Sequence, residues 1–134
     1  MNLLEHHDLG YTDVFVFENY CINQIKTGVT IVDAHYYVLK GMIDKHFSDR
    51  NMVYISNRVN SYNVDPLIHL KVSTIENLVG LCVVVNTQSR YRTAYFEKRF
   101  SSKPFKVCSS IREAVLWTPV LIENADFGYK PDSK

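Results

Sequence analysis

Glycine is scarce in this chain, at five in 134 residues, and the five are scattered. No Gly-x-Gly-x-x-Gly, Gly-x-x-x-x-Gly-Lys or Gly-x-Ser-x-Gly sequence occurs, so a glycine-rich phosphate cradle and a nucleophile elbow are both missing. No apolar run approaches the roughly 18 residues that a membrane helix needs. The opening residues, Met-Asn-Leu-Leu-Glu-His-His-Asp, are acidic where a secretory signal would be basic, so neither a membrane span nor export by that route is expected. The formal net charge is only +1, which gives the whole molecule no bias toward nucleic acid or anionic lipid. There are three cysteines, Cys21, Cys82 and Cys108, without a Cys-x-x-Cys pair. An odd, widely spaced set argues against a disulfide framework, and each lies in an apolar strand-like run that opposes a reactive thiolate. Buried thiols in a reducing compartment, hence the cytoplasm, are the expectation.

What is present is a globular composition, 46% hydrophobic, 22% charged and 13% aromatic. At this size one domain buries about two-thirds of its unfolded surface without staples. Residues 13–17 and 20–26 read as strands joined through Glu18-Asn19 as a tight hairpin. After Gly28, Thr30 with Asp33 reads as an acidic capping box, and Val32, Tyr36, Leu39, Ile43 and Phe47 recur at helical spacing. Residues 51–56 read as a buried strand, and Asp65-Pro66 opens a short helix to about Thr74. Residues 78–86 form a continuous β-branched apolar run, the pattern of a central parallel strand. A helix is expected over 89–100 with Tyr91, Tyr95, Phe96 and Phe100 turned inward, then a strand over 105–108. Ser110 and Glu113 cap a final helix that Pro119 should stop or kink. The order is β-β-α-β-α-β-α-β-α, an α/β fold with a four- or five-stranded mixed sheet, one antiparallel edge strand and helices packed on it. Residues 1–12 are read as an N-terminal segment, 13–122 as the domain and 123–134 as a loosely held tail.

This order, together with Tyr-Ile-Ser-Asn-Arg-Val-Asn-Ser-Tyr-Asn-Val-Asp-Pro, Asn-Leu-Val-Gly-Leu-Cys-Val-Val, Phe-Glu-Lys-Arg-Phe-Ser-Ser-Lys-Pro-Phe and Ser-Ile-Arg-Glu-Ala-Val-Leu-Trp, resembles small STAS-like proteins. These are related in fold to bacterial anti-sigma-factor antagonists, and the likeness is to an uncharacterised Bacteroidetes branch. The resemblance implies a module that binds protein partners, with some relatives holding nucleotides or lipids. It also marks a departure, since the antagonists carry a phosphorylatable serine in an Asp-Ser-Ser-Gly-like turn after the strand matching residues 51–56. Here the sequence is Asn60-Ser61-Tyr62-Asn63-Val64-Asp65, which leaves Ser61 near the right place without that context.

The strand-end loop gathers Arg58, Asn60, Ser61, Asn63 and Asp65, which offer donors, acceptors and both charge signs to a partner or ligand, although such residues also serve turns. Ser61 is the candidate phosphorylation site. No catalytic residue, cofactor or metal site is expected, because His6-His7 lie near the end of the chain and His35, His46 and His69 share no short spacing with acids or cysteines. Arg90, Arg92, Lys98, Arg99, Lys103, Lys106 and Arg112 face only Glu97 and Glu113, yet aromatics interleaved among them are more often core than base-stacking platforms, which weighs against nucleic acid. The expected role is a non-enzymatic regulatory or protein-interaction module with an unknown protein partner. The alternative is a carrier of a small apolar or lipid-like ligand between helices and sheet. An exposed edge strand over 13–17 would offer a pairing surface for a homodimer.

Overall fold

The computed structural model of the protein describes residues 2–126; of the tail expected over 123–134, residues 123–126 continue the last helix and the rest lies outside the described residues. Alternation sets the first strands. In β2 (Thr12–Val16) the residues Thr12, Val14 and Val16 are buried while Asp13 and Phe15 are half-buried, and β2 pairs antiparallel with β3 (Tyr20–Ile25) across the expected tight turn. The hairpin is not the edge of the sheet, however. Glu5–Asp8 forms β1, which pairs antiparallel with β2, with Glu5 opposite Val16 and His7 opposite Val14. Glu-His-His-Asp carries no apolar alternation, so its strand character comes from the open edge that β2 presents rather than from its own pattern.

From β3 onward pairing is parallel: β3 to β5 (Met52–Asn57), β5 to β7 (Leu78–Val84), and β7 to β8 (Phe105–Cys108). The sheet therefore has six strands in the order β1-β2-β3-β5-β7-β8, one or two more than expected, with two antiparallel strands at one side instead of one. All seven residues of β7 are buried, in keeping with its β-branched run. A separate parallel pair joins β4 (Thr30–Ile31) to β6 (Asn63–Val64). Because Thr30 is drawn into that pair, it does not cap α1 (Asp33–Phe47). The cap is Val32, whose N–H donates to His35 Nδ1 at 2.9 Å. Ile43 and Phe47 of the expected stripe are buried, Tyr36 and Leu39 are partly buried, and Val32 is exposed.

One face of the sheet carries α1, α2 (Ile68–Val72) and α3 (Gln88–Lys98); α4 (Ile111–Asp126) covers the other. In α3 the inward residues are Ala94 and Glu97, whereas Tyr91, Tyr95 and Phe96 are exposed, so the aromatic stripe expected to face the core does not. Pro119 does not stop α4. It sits on the exposed face, while Ala114, Thr118 and Leu121 hold one buried stripe on both sides of it, and tertiary packing carries the helix through the missing N–H. Ser110 Oγ accepts from the Glu113 N–H at 3.1 Å, and Glu113 reaches back to the Ser109 N–H at 2.8 Å. The three cysteines are buried and free; burial pushes the Cys21 thiol up to about 12. Among the described residues no helix is long and apolar enough to cross a membrane.

Close approach of α4 to the sheet depends on Gly80. A Cβ built there would meet Leu121 Cδ1 at 2.5 Å and Cδ2 at 3.1 Å. Gly80→Ala is expected to destabilise the protein by about 1–3 kcal/mol through overpacking, and Leu121→Ala by about 2–5 kcal/mol through a cavity. The double variant should cost clearly less than the sum, because each change relieves the other. A double-mutant cycle in urea with additive effects would show that the contact is not what fixes this spacing.

Candidate functional site

Along β5 the residues facing α1, α2 and α3 are Met52, Tyr54 and Ser56, and Arg58 continues that register as its N–H donates to the Val84 carbonyl at 2.9 Å. The inward line thus runs from apolar to cationic toward the carboxyl end of the strand. Neighbouring strands add Thr12 and Asn23 to the same face. The Thr12 hydroxyl donates to Asn23 Oδ1, and Asn23 Nδ2 donates to the Tyr54 hydroxyl at 2.8 Å. Ser56 and Tyr62 share a hydrogen bond of 3.0 Å. Burial raises both the Tyr54 and Tyr62 phenols, which keeps them protonated and neutral.

Arg58 is 8% exposed and Glu97, one helical turn from Ala94 on the inward face of α3, is 2% exposed. Two parallel hydrogen bonds of 2.5 and 2.6 Å join the guanidinium to the carboxylate, and His69 Nε2 of α2 approaches the same carboxylate at 2.8 Å. Burial alone would push the Glu97 carboxyl up; hydrogen bonds from Arg58 and His69 outweigh it and hold the group below its ordinary range. The Arg58 guanidinium lies 5.6 Å from the Tyr62 ring centre, and the His69 ring meets Phe105 edge-on at 5.4 Å. Two buried nitrogens in this group have no partner, Arg58 Nε and His69 Nδ1. Since His69 Nε2 carries the proton given to Glu97, Nδ1 is an acceptor in the neutral ring and a donor in the charged one.

Above this floor lies a cavity of about 60 Å³ between the sheet, α1 and α2. Its walls include Tyr36, Leu39, Met42, Val64 and Val72, and its polar lining includes Tyr54, Arg58, Tyr62 and His69. A water takes about 30 Å³ of liquid volume, so the cavity as it stands holds about two waters, and an aromatic ring, which needs about 150 Å³, enters only as α1 and α2 part.

The five loop residues singled out from the sequence divide. Arg58 is turned inward to Glu97 rather than presented at the surface, and Asn60 is half-buried with its amide donating to the Ile25 carbonyl at 3.0 Å. Ser61, Asn63 and Asp65 are exposed. The Ser61 carbonyl accepts from Gly28, which sits at φ +83°; Asn63 belongs to β6; and Asp65 Oδ1 accepts from the Leu67 N–H at 3.1 Å, ahead of an α2 that starts two residues after Pro66. Glu97, His69, Tyr54, Ser56 and Tyr62 were not singled out. A signal existed for one of them: Arg58 shares the inward register of Tyr54 and Ser56, so a buried cation needed an acid, and Glu97 is one of only two acids between Arg90 and Glu113. The histidines also disperse differently from the sequence expectation. His6 pairs with Asp13 at 2.9 Å and His35 caps α1, while His7 and His46, 39 positions apart, meet Glu5 at the rim of the sheet as the one group of three metal-ligating side chains found among the described residues.

Glu97→Gln preserves shape but leaves the Arg58 charge buried without a counter-ion, and should cost about 3–5 kcal/mol at neutral pH. The depressed folded value of Glu97 means that its contribution is complete above the ordinary value of 4.5 and is lost as pH falls through the folded value. The stability gap between wild type and Glu97→Gln should therefore narrow in acid, below about pH 4.5. Urea denaturation across pH 2.5–7 checks this; a gap that stays constant would place the stabilisation elsewhere.

No family model matches the sequence, and no curated protein matches it. A solved structure does. It is an uncharacterised protein of the DUF3478 family with a SpoIIAA-like fold from Shewanella loihica PV-4, 9% identical, with a TM-score of 0.55 over 85% of this chain and 90% of that one. At that identity the likeness is one of fold, and the six-stranded mixed sheet with its helices is a SpoIIAA-like, that is STAS-like, α/β fold.

Proposed function

We propose that the protein is a non-enzymatic binding protein whose cavity between α1, α2 and the sheet widens to take a small amphipathic molecule with a neutral polar head. The observation that carries this reading is the pair of unpartnered buried nitrogens, Arg58 Nε and His69 Nδ1, on residues that line an otherwise mostly apolar cavity. Buried polar atoms are normally satisfied, and an exception on residues that line a cavity invites a partner once the cavity admits one. Charge selects the head group. Arg58 is already paired with Glu97, so a second carboxylate would bring a further buried anion beside Glu97, whereas a hydroxyl can accept from Arg58 Nε and can either donate to or accept from His69 Nδ1. The apolar body then lies against Tyr36, Leu39, Met42 and Val64.

A second reading, a protein-interaction module, is favoured by a separate observation: Leu67 and Leu70 on and before α2, and Tyr91, Tyr95 and Phe96 on α3, are all exposed. Ser61, exposed in the loop leading to α2, would be its switch, since a phosphate there adds nearly two negative charges to a surface that already carries Asp65.

Titration with 4-methylphenol, toluene and 4-methylbenzoate, followed by amide and methyl chemical shifts, tests the carrier. Saturable shifts at Leu39, Met42 and Val64 are expected with 4-methylphenol, about tenfold weaker with toluene for want of hydrogen bonds to a charged group, and weakest with the carboxylate. Val64→Trp, at the half-buried wall, should abolish them while the protein stays folded. Absence of saturable shifts at the cavity with all three compounds would remove the carrier reading. Native mass spectrometry of protein purified from its own host separates the alternatives further: a retained small molecule supports the carrier and a retained polypeptide the module.

A further inference from the structure

Glu5 and His7 are two residues apart on β1 and so share one face of the strand, opposite Val16 and Val14 of β2. Val14 and Val16 point into the core beneath α1, and the last turn of that helix brings His46 over the same rim. The three side chains converge there. His7 Nε2 and His46 Nε2 are 2.9 Å apart, with His7 Nε2 3.7 Å from Glu5 Oε1 and His46 Nε2 3.7 Å from Glu5 Oε2. His6, between the two ligand positions, faces away and stacks on Phe15 at 4.7 Å.

We propose that Glu5, His7 and His46 form a binding site for a divalent transition-metal ion of zinc type, with water in the open fourth position. The argument is geometric and chemical. With zinc–ligand bonds of about 2.0–2.1 Å, the ligand atoms of a tetrahedral ion lie about 3.3 Å apart; here one ligand atom from each of the three residues lies within 4.8 Å of the other two, so small side-chain adjustments bring them onto one ion. Two imidazoles and one carboxylate are a donor set that suits zinc, cobalt, nickel or copper and not calcium or magnesium. The side chains of His7 and His46 are 18% and 12% exposed, so packing has already fixed them, while Glu5 at 47% leaves a route from solvent. An ion here joins the outer strand to the carboxyl end of α1, the helix whose earlier turns carry Tyr36, Leu39 and Met42 over the cavity. The site is independent of the cavity's ligand and needs none of its residues.

Metal-free protein titrated calorimetrically with zinc chloride alone is expected to take up one equivalent, and cobalt(II) in its place to give the visible absorption of a tetrahedral ion. Binding should weaken at least tenfold in His7→Ala and in His46→Gln, and remain in His6→Ala, which keeps the neighbouring imidazole question apart from the site. The melting temperature of the wild type should rise with zinc and that of His7→Ala should not. His7 lies at the edge of the sheet, so this variant keeps the test open if His46→Gln fails to fold. No stoichiometric uptake by folded wild type, or equal uptake by His7→Ala, overturns the site.

Discussion

Arg58 leaves the end of β5 on the inward register, so its guanidinium enters the space between the sheet and the helices. A charge placed there is tolerated only with a well-matched partner, and Glu97 supplies it with two parallel hydrogen bonds. Much of this half of the molecule follows from that match. It fixes the rotation of α3, because Glu97 must face inward, and that rotation turns Tyr91, Tyr95 and Phe96 outward. It also fixes α2, because His69 completes the carboxylate's hydrogen bonds. Arg90 of α3 adds a hydrogen bond to the Arg58 carbonyl at 3.0 Å, tying the strand end to the start of the same helix.

The same pair explains why the interior stays partly open. Tyr54, Ser56, Tyr62, Thr12 and Asn23 are joined by hydrogen bonds over the adjoining stretch of sheet, and a polar floor of this kind cannot be closed by aliphatic packing without leaving groups unsatisfied. The opposite face shows the contrast. There Val53, Ile55, Cys82 and Val84 meet Ala114 and Leu121 of α4, and Gly80 lets the helix approach closely. One face is packed for stability. The other keeps a charged pair, unpartnered nitrogens and a small cavity, the combination by which binding sites are usually recognised.

Much of the α/β order was legible in the chain, since it rests on local pattern: the period-2 hairpin, the 3.6-residue stripe of α1, the β-branched run of β7 and the Ser-x-x-Glu start of α4. Departures came where tertiary partners outweighed local signals. Glu-His-His-Asp became a strand because β2 had a free edge, Thr30 left its capping role for a bridge to Asn63, and α4 ran through Pro119 because its buried stripe continued. The candidate loop was legible as turn chemistry at Asn60 and Asp65, but the direction of Arg58 was not, because Glu97 lies 39 residues away and His69 reaches the same carboxylate from another helix.

By itself the sequence determined the alternation of strands and helices, the fully buried central strand and the burial of the three cysteines, all of which follow from the spacing of apolar side chains along the chain. Tertiary structure decided which polar groups would meet. Arg58 with Glu97 and His69, and Glu5 with His7 and His46, are combinations of residues from separate elements, and no one-dimensional pattern encodes them. Hydrophobic spacing is a local property of a periodic backbone, whereas the pairing of charges and ligands depends on which strand and helix ends are brought to the same place.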